Sequence, residues 1–375
     1  MSIYESVEKD RIYQLLMVSQ IKNDCVTLMA LSDLIARPIL ALAFLPIYAM
    51  FAEEIENTIG ERGRVFSIRN DSPFRISVVR SKLKLFGAER LGKAKKKVLN
   101  LDELQGDIFN NKLRFDFTKN LSIHYNLGVF FTDEGRILGN TQYFYYMFEE
   151  RNIDGREYNE EEIREFSKSI GTVLGSVYEG LKNFMPDHIV NVKNKDYRIK
   201  FKDFNTDKKS FTCLSQLQYG KDIALILLHV LSNINFVRFV LDDALDNDNT
   251  YLFKVKYISL YYSIRSIGKI IEFFKSNNVD YNIYSSLKEC TENSAFLLNS
   301  TFRNCMMHYR YNLDGEYLIS DRFLDINVKL YGLVETYFDG MNYSEVDLLI
   351  TERLYQISDI LEDLLNIDRR NLRYV

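Results

Sequence analysis

Apolar residues recur along this chain in two rhythms, and the rhythm changes near residue 211. Residues 5–60 keep the three-to-four spacing of an amphipathic helix, with a break expected at Pro38 or Pro46. Gly60 and Gly63 end that pattern. Residues 64–86 then read as extended, because VFSI, the turn NDSP and FRISVV together predict a hairpin. Residues 113–131 alternate, with Leu113, Phe115 and Phe117 on one face. A further alternating pair flanks Asn194-Lys195-Asp196, with Tyr197, Ile199 and Phe201 on one side. Between these stretches, Asn159 and Glu162 form an N-x-x-E capping box that opens a helix running to Pro186.

Beyond about Phe211 the strand signals stop and helical spacing takes over. The pattern predicts helices over about 214–246, 251–276, 286–311, 324–338 and 344–366. Ser286 with Glu289, and Ser344 with Asp347, read as capping pairs for the third and fifth. The joining loops are short, so neighbouring helices should run antiparallel. The expected fold is mainly α: an N-terminal α+β region over 1–210 and a bundle of about five helices over 211–375.

Composition narrows the choices. The chain has 375 residues, 46% of them hydrophobic, which allows one large domain or two. Phe (26) and Tyr (25) supply the aromatic mass and Trp is absent. The apolar run Ile39 to Ala52 is shorter than the roughly 20 residues a membrane span needs, and Pro46 interrupts it. It reads as a buried helix, and the N-terminal residues do not form a signal peptide. Cys25, Cys213, Cys290 and Cys305 lack CxxC spacing, and the four His lack an HExxH pattern. These readings point to a reduced cytoplasmic protein without a membrane or a bound metal. With a net charge of −4, nucleic acid would have to be met by a local basic patch. One candidate is 75–97, with nine basic residues against Glu89 alone. If 75–86 is a strand, Arg80, Lys82 and Lys84 share a face, and Lys93, Lys95, Lys96 and Lys97 follow as further phosphate contacts.

The chemistry-bearing segment lies late in the third predicted helix: Ser300-Thr301-Phe302-Arg303-Asn304-Cys305-Met306-Met307-His308-Tyr309-Arg310-Tyr311. Ala295, Leu298, Phe302, Met306 and Tyr309 form its buried stripe, leaving Arg303, Asn304 and His308 off that stripe. Asn304 and His308 are four apart and share a face. Arg303 and His308 are five apart, so their directions diverge by roughly 140° on an ideal helix. An imidazole can move a proton near neutral pH, and a guanidinium can fork onto phosphate oxygens. RNA carries its own nucleophile, the 2′-OH. Together these need no metal to cleave a phosphodiester.

The run Arg303-Asn304-Cys305-Met306-Met307-His308 resembles the R-N-x-x-x-H form of the R-x4-H motif of the HEPN superfamily. These are helical domains of abortive-infection proteins, toxins and CRISPR-associated ribonucleases. The resemblance covers about 211–375. It implies a HEPN-like bundle and a metal-independent endoribonuclease without cofactor, leaving 2′,3′-cyclic phosphate and 5′-OH ends. It also implies a homodimer whose cleft joins two motifs. Arg303 and His308 would be catalytic, with Asn304 and Tyr311 in support. The implied role is antiphage defence, abortive infection or toxin action on RNA, with any antitoxin or trigger unidentified. The alternative is an inactive HEPN-like bundle that dimerises and binds RNA or protein. Some toxins of the family carry a Tyr two residues after the His; here Arg310 stands there, between Tyr309 and Tyr311.

Other candidates carry less. Asp242, Asp243, Asp246 and Asp248 are oxygen donors that a hard cation could use, but EF-hand spacing is absent. His229 lies within ALILLHVL and reads as a satisfied core histidine, while His124 and His188 have no evident partner. Gly171 and Gly175 are not followed by the GK[ST] of a phosphate loop.

Overall fold

The computed structural model describes residues 3–31, 34, 38–59, 76–111, 125–147, 179, 190–193, 197–207, 220–313 and 315–365. The protein is mostly helical, with a small antiparallel sheet. In chain order the elements are α1 (Ile3–Ala30), α2 (Pro38–Ile59), α3 (Ile76–Ser81), α4 (Leu91–Asn111), β1 (Leu127–Thr132), β2 (Ile137–Asn140), α5 (Thr141–Met147) and β3 (Ile199–Phe204). They continue as α6 (Gly220–Phe236), α7 (Thr250–Ser276), α8 (Tyr281–Asn293), α9 (Ser300–Met307), β4 (Asn312–Leu313), β5 (Glu316–Tyr317), α10 (Leu333–Tyr337) and α11 (Tyr343–Leu364). The sheet order is β2-β1-β3, antiparallel throughout, with Val129 opposite both Asn140 and Lys202. The short β4-β5 pair forms a separate ribbon.

The central element is α7. Asn249 caps it, its side chain accepting from the Tyr251 and Leu252 amides at 3.0 Å each. Most of the helix is buried, and it packs on α1, α6, α8, α9 and α11. Helix α6 has an apolar window that is 89% buried, as a core helix should, and it runs through a π-turn at Val237–Leu241. Helix α2 buries Phe44, Ala49, Phe51 and Ala52 and carries Pro46 inside it without ending there. One contiguous apolar core links α1, α2 and the sheet to α6, α7 and α11. The boundary expected near 210 falls at 208–219, outside the described residues.

Several expectations need correction. Ile76–Ser81 is a helix and not a strand. Ile76 and Val79, with Leu83 just beyond, bury one face at spacings of three and four, so packing overrides the β-branched composition. Residues 60–75, the hairpin's other half, lie outside the described residues, as do 113–117 and 194–196. The helix expected from Asn159 to Pro186 also lies outside, apart from Glu179. The third bundle helix is not continuous: α8 ends at Asn293, a 3-10 turn covers Ala295–Leu297, and α9 restarts at Ser300. Its caps are Asp280 and Asn299, whose side chains accept from the Asn282 and Phe302 amides, and not Ser286. The Tyr257 hydroxyl holds the break open, 2.8 Å from the Leu297 carbonyl and 3.1 Å from that of Asn299. The fourth helix shrinks to α10, because Leu330 and Tyr331 take left-handed backbone angles before it. Helix α11 is capped two residues earlier than expected, by a complete Asn342–Glu345 box.

His229 lies in α6 at 0% exposure, and neither ring nitrogen has a hydrogen-bond partner. It is therefore not the satisfied histidine that the sequence suggested. Phe86 and Tyr146 stack on it and Tyr143 packs beside it. Burial lowers its pKa to about 3. The unfolded chain then binds a proton near pH 6.5 that the folded protein refuses, so stability falls as pH drops from 6.5 towards 3. Denaturant midpoints compared across pH should show wild type losing about 2–3 kcal/mol more than His229→Leu between pH 7.5 and 4.5. Parallel curves for the two proteins would show that His229 does not drive the acid sensitivity.

Candidate functional site

Residues 303–308 do not lie on one straight helix. Arg303 is in the middle of α9, and His308 has left the helix as its C-terminal cap with extended angles (φ −128°, ψ 138°). The divergence expected for an ideal helix therefore does not apply. Phe302, Cys305, Met306 and Met307 are buried, Asn304 is exposed, and the His308 side chain is 31% exposed. The imidazole is open to solvent on part of its surface and is not sealed in the core.

Behind His308 lies a group that the sequence reading missed. The Glu54 carboxylate, at the end of the buried stretch of α2, is 2% exposed, with its Oε2 2.9 Å from His308 Nδ1. Arg80 from α3 reaches the same carboxylate, with Nη2 2.8 Å from Oε1, and its Nη1 donates to Glu53 Oε2 at 2.6 Å. Arg80 Nη2 also lies 3.3 Å from His308 Nδ1 and 3.5 Å from Nε2. The available signal was an acidic pair, Glu53-Glu54, ending an apolar run whose burial demands counter-charges. Which distant cation or imidazole answers that demand cannot be read from spacing.

Arg303 belongs to a neighbouring cluster. Its Nη1 donates to the Tyr262 hydroxyl at 2.8 Å and lies 3.7 Å from Met307 Sδ. Its guanidinium sits 5.3 Å from the centre of the Tyr261 ring, and Arg265 donates to the Tyr261 hydroxyl at 3.2 Å. Burial raises the Tyr262 phenol, and the Arg303 charge opposes that rise. No hydrogen bond joins Arg303 to His308. The tie between them is indirect, through Met307, which touches both Tyr262 and Arg303 and precedes His308 in the chain.

The other expected site residues separate. Tyr311 is 3% exposed and packs edge-on against Tyr331, so it does not border the site. Arg80 is engaged by Glu53 and Glu54, and not offered to a phosphate backbone. Lys82 is 4% exposed with its ammonium 3.9 Å from the Tyr146 ring centre. Lys95 pairs with Asp222 and Lys97 with Glu89. Lys84 is half-buried, and only Lys93 and Lys96 of that set are exposed. The basic run is thus largely used within the fold, because it forms helices that face acids and aromatic rings and not the one-sided strand expected.

The aspartates at 242–248 are likewise engaged. Asp242 pairs with Lys256, Asp246 with Lys193 and Asp248 with Lys329, and Asp243 accepts from the Tyr197 hydroxyl at 3.0 Å. Among the described residues no group of three or more His, Cys, Asp or Glu side chains is placed to hold a metal ion. Cys25, Cys290 and Cys305 are buried thiols, and Cys213, His124 and His188 lie outside the described residues. A cavity of about 470 Å³ between α1 and the loops at 246–250 and 326–331 contains neither Arg303 nor His308. Three of its amides serve the fold: Gln20 donates to Asp24, Asn249 caps α7 and Asn327 bonds Asp325. No family model, curated protein or solved structure matches the chain.

Proposed function

We propose that this chain is a metal-independent endoribonuclease of HEPN type, cutting RNA through attack of a 2′-OH on the adjacent phosphorus. The observation that carries the reading is the setting of His308: a part-exposed imidazole at a helix end, backed by a buried carboxylate, with Arg303 five residues earlier on that helix. An imidazole so held can take the 2′-OH proton, or give a proton to the leaving 5′-oxygen. As O2′ bonds to phosphorus and the P–O5′ bond breaks, the product is a 2′,3′-cyclic phosphate and a 5′-OH end. Arg303 is the guanidinium suited to the charge gathered on the phosphorane. One chain carries one such pair, so a homodimer with two motifs in one cleft would supply both acid and base.

In this reading α6 to α11 form the HEPN-like bundle. RNA is the partner, the setting is the cytoplasm, and the role is antiphage defence or toxin action. Labelled RNA incubated with the purified protein tests it. Cutting is expected to continue in EDTA and to leave cyclic phosphate ends. Cutting that EDTA stops, or its complete absence, counts against the reading; RNA binding without cutting is what the inactive dimerisation module would give.

A further inference from the structure

Two guanidiniums flank one ring, and neither has an acid. Arg303 Cζ lies 5.3 Å from the centre of the Tyr261 ring and Arg265 Cζ lies 5.7 Å from it. Both donate to phenols, Arg303 to Tyr262 and Arg265 to Tyr261. Among the described residues neither pairs with a carboxylate. By contrast Arg80, Lys95, Lys97, Lys254 and Lys256 each meet an acid. A neutral hydroxyl positions a guanidinium without cancelling its charge. Arg303 Nε is also buried without a partner, and Arg265 is exposed. A third cation extends the row. Arg265 and Lys269 are four apart on α7, hence on one face and about 6 Å apart along the axis. Lys269 Nζ donates to the Gly87 carbonyl at 2.7 Å and to that of Glu89, so it is pinned to the turn before α4 and adds charge from there. Burial lowers its pKa and the Arg265 charge lowers it further, while Glu89 and Glu272 act the other way. Glu89 is taken by Lys97, which leaves Glu272 as the acid near the row. The turn forms a wall: a Cβ built on Gly87 would stand 3.2 Å from Arg265 Cβ, whereas one built on Gly268 would meet no atom within 4 Å. The helix face beside Arg265 is therefore closed on the side of the turn and open at Gly268.

The geometry points to a phosphate track along α7: Arg265 holds the phosphate next to the one that Arg303 faces, and Lys269 strengthens the field beyond it. The ligand class is the backbone of a single-stranded RNA, because a row of cations on one helix face suits a chain of charges better than one compact anion. The assignment deepens the ribonuclease reading and rests on it for the phosphate given to Arg303. It puts the nucleic-acid contact on α7 and not on the run at 75–97.

The probe is a single-stranded oligonucleotide with 2′-O-methyl riboses, which lacks the nucleophile, so binding is read apart from cutting. Affinity is measured across salt concentrations in EDTA. Arg265→Ala should reduce the log–log salt slope by about 0.7, the loss of one phosphate contact, and weaken binding at about 50 mM salt by about 5- to 10-fold. Arg265→Lys should keep the slope. Lys193→Ala, which removes an exposed lysine beside Asp246 at the far end of α7, should change neither quantity. In wild type, phenylglyoxal should modify Arg265 and the oligonucleotide should protect it, a reading that needs no variant. An unchanged slope in Arg265→Ala, or no protection of Arg265, overturns the track. Pyrophosphate that protects Arg265 as well as the oligonucleotide does would show a compact-anion site and overturn it too. Binding through Arg265 without cutting of ordinary RNA upholds the track and removes the ribonuclease reading alone; cutting in which Arg265 plays no part does the reverse.

Discussion

His308→Ala is expected to lower RNA cutting by about 10²- to 10⁴-fold, the range that a positioned proton-transfer group contributes. The fold should survive. His308 lies outside α9, its side chain is 31% exposed, and its loss leaves only Glu54 Oε2 without a partner while Arg80 still holds Oε1. The stability cost is then that of one buried acceptor, about 1–3 kcal/mol. Arg303→Ala should lower cutting by about 10²-fold for a different reason, the loss of charge facing the phosphorane. It should also relieve any growth arrest seen on expression. The two measurements are rates on labelled RNA and thermal unfolding of the same samples. Equal cutting by His308→Ala and wild type would take the imidazole out of the mechanism.

The largest stability effect is expected elsewhere, at Asp24. Its side chain is 1% exposed and pairs at 2.7 Å with Lys254, which is 3% exposed. It also accepts from the Tyr309 hydroxyl and from Gln20 Nε2, each at 2.6 Å. Burial pulls the Lys254 pKa down and Asp24 pulls it back up. Asp24→Ala therefore leaves a cation and a phenol buried without their acceptor, at a cost of about 3–5 kcal/mol in denaturant unfolding. The defect should shrink as pH rises, because Lys254 depressed below its unfolded value favours the folded state more once it can lose its proton. Replacing both residues, Asp24→Leu with Lys254→Met, should lose much less than Asp24→Ala alone. A double variant as unstable as the single one would show that the ion pair is not the cause. Tyr309 follows His308 in the chain, so the same substitution loosens the segment that carries the imidazole.

What could be read from the sequence divides along the range of the forces. Helices α6 and α7 were legible because long apolar faces are local, and β3 because Tyr197, Ile199 and Phe201 alternate. The burial of Ile39–Ala52 followed from its composition. The break between α8 and α9 was not legible, because the Tyr257 hydroxyl makes it from another helix. Ile76–Ser81 was misread as a strand because six residues hold too few periods to outweigh β-branched side chains. At the site, Arg303 and His308 could be singled out together, being neighbours in sequence. Glu54 and Arg80 could not, since an ion pair between distant elements leaves no spacing to recognise. Lys82 and Tyr311 show the converse: a residue type suited to RNA or to support says nothing about which way the chain turns it.

The wide separation of the site residues along the polypeptide also sets when the centre can come into being. Translation delivers Glu54 and Arg80 well before His308, and the N-terminal part of α1 waits longer still for its partners. Lys9, Asp10 and Tyr13 meet Asp321, Tyr317 and the Ile319 carbonyl, all from beyond the motif. A chain still on the ribosome below residue 308 holds a carboxylate and its counter-ion but no imidazole. Its first helix can meet Lys254 through Asp24, but the contacts of Lys9, Asp10 and Tyr13 wait until the segment beyond has emerged. Assembly of the centre is therefore a late event in the life of each new polypeptide, and truncated products would lack it altogether.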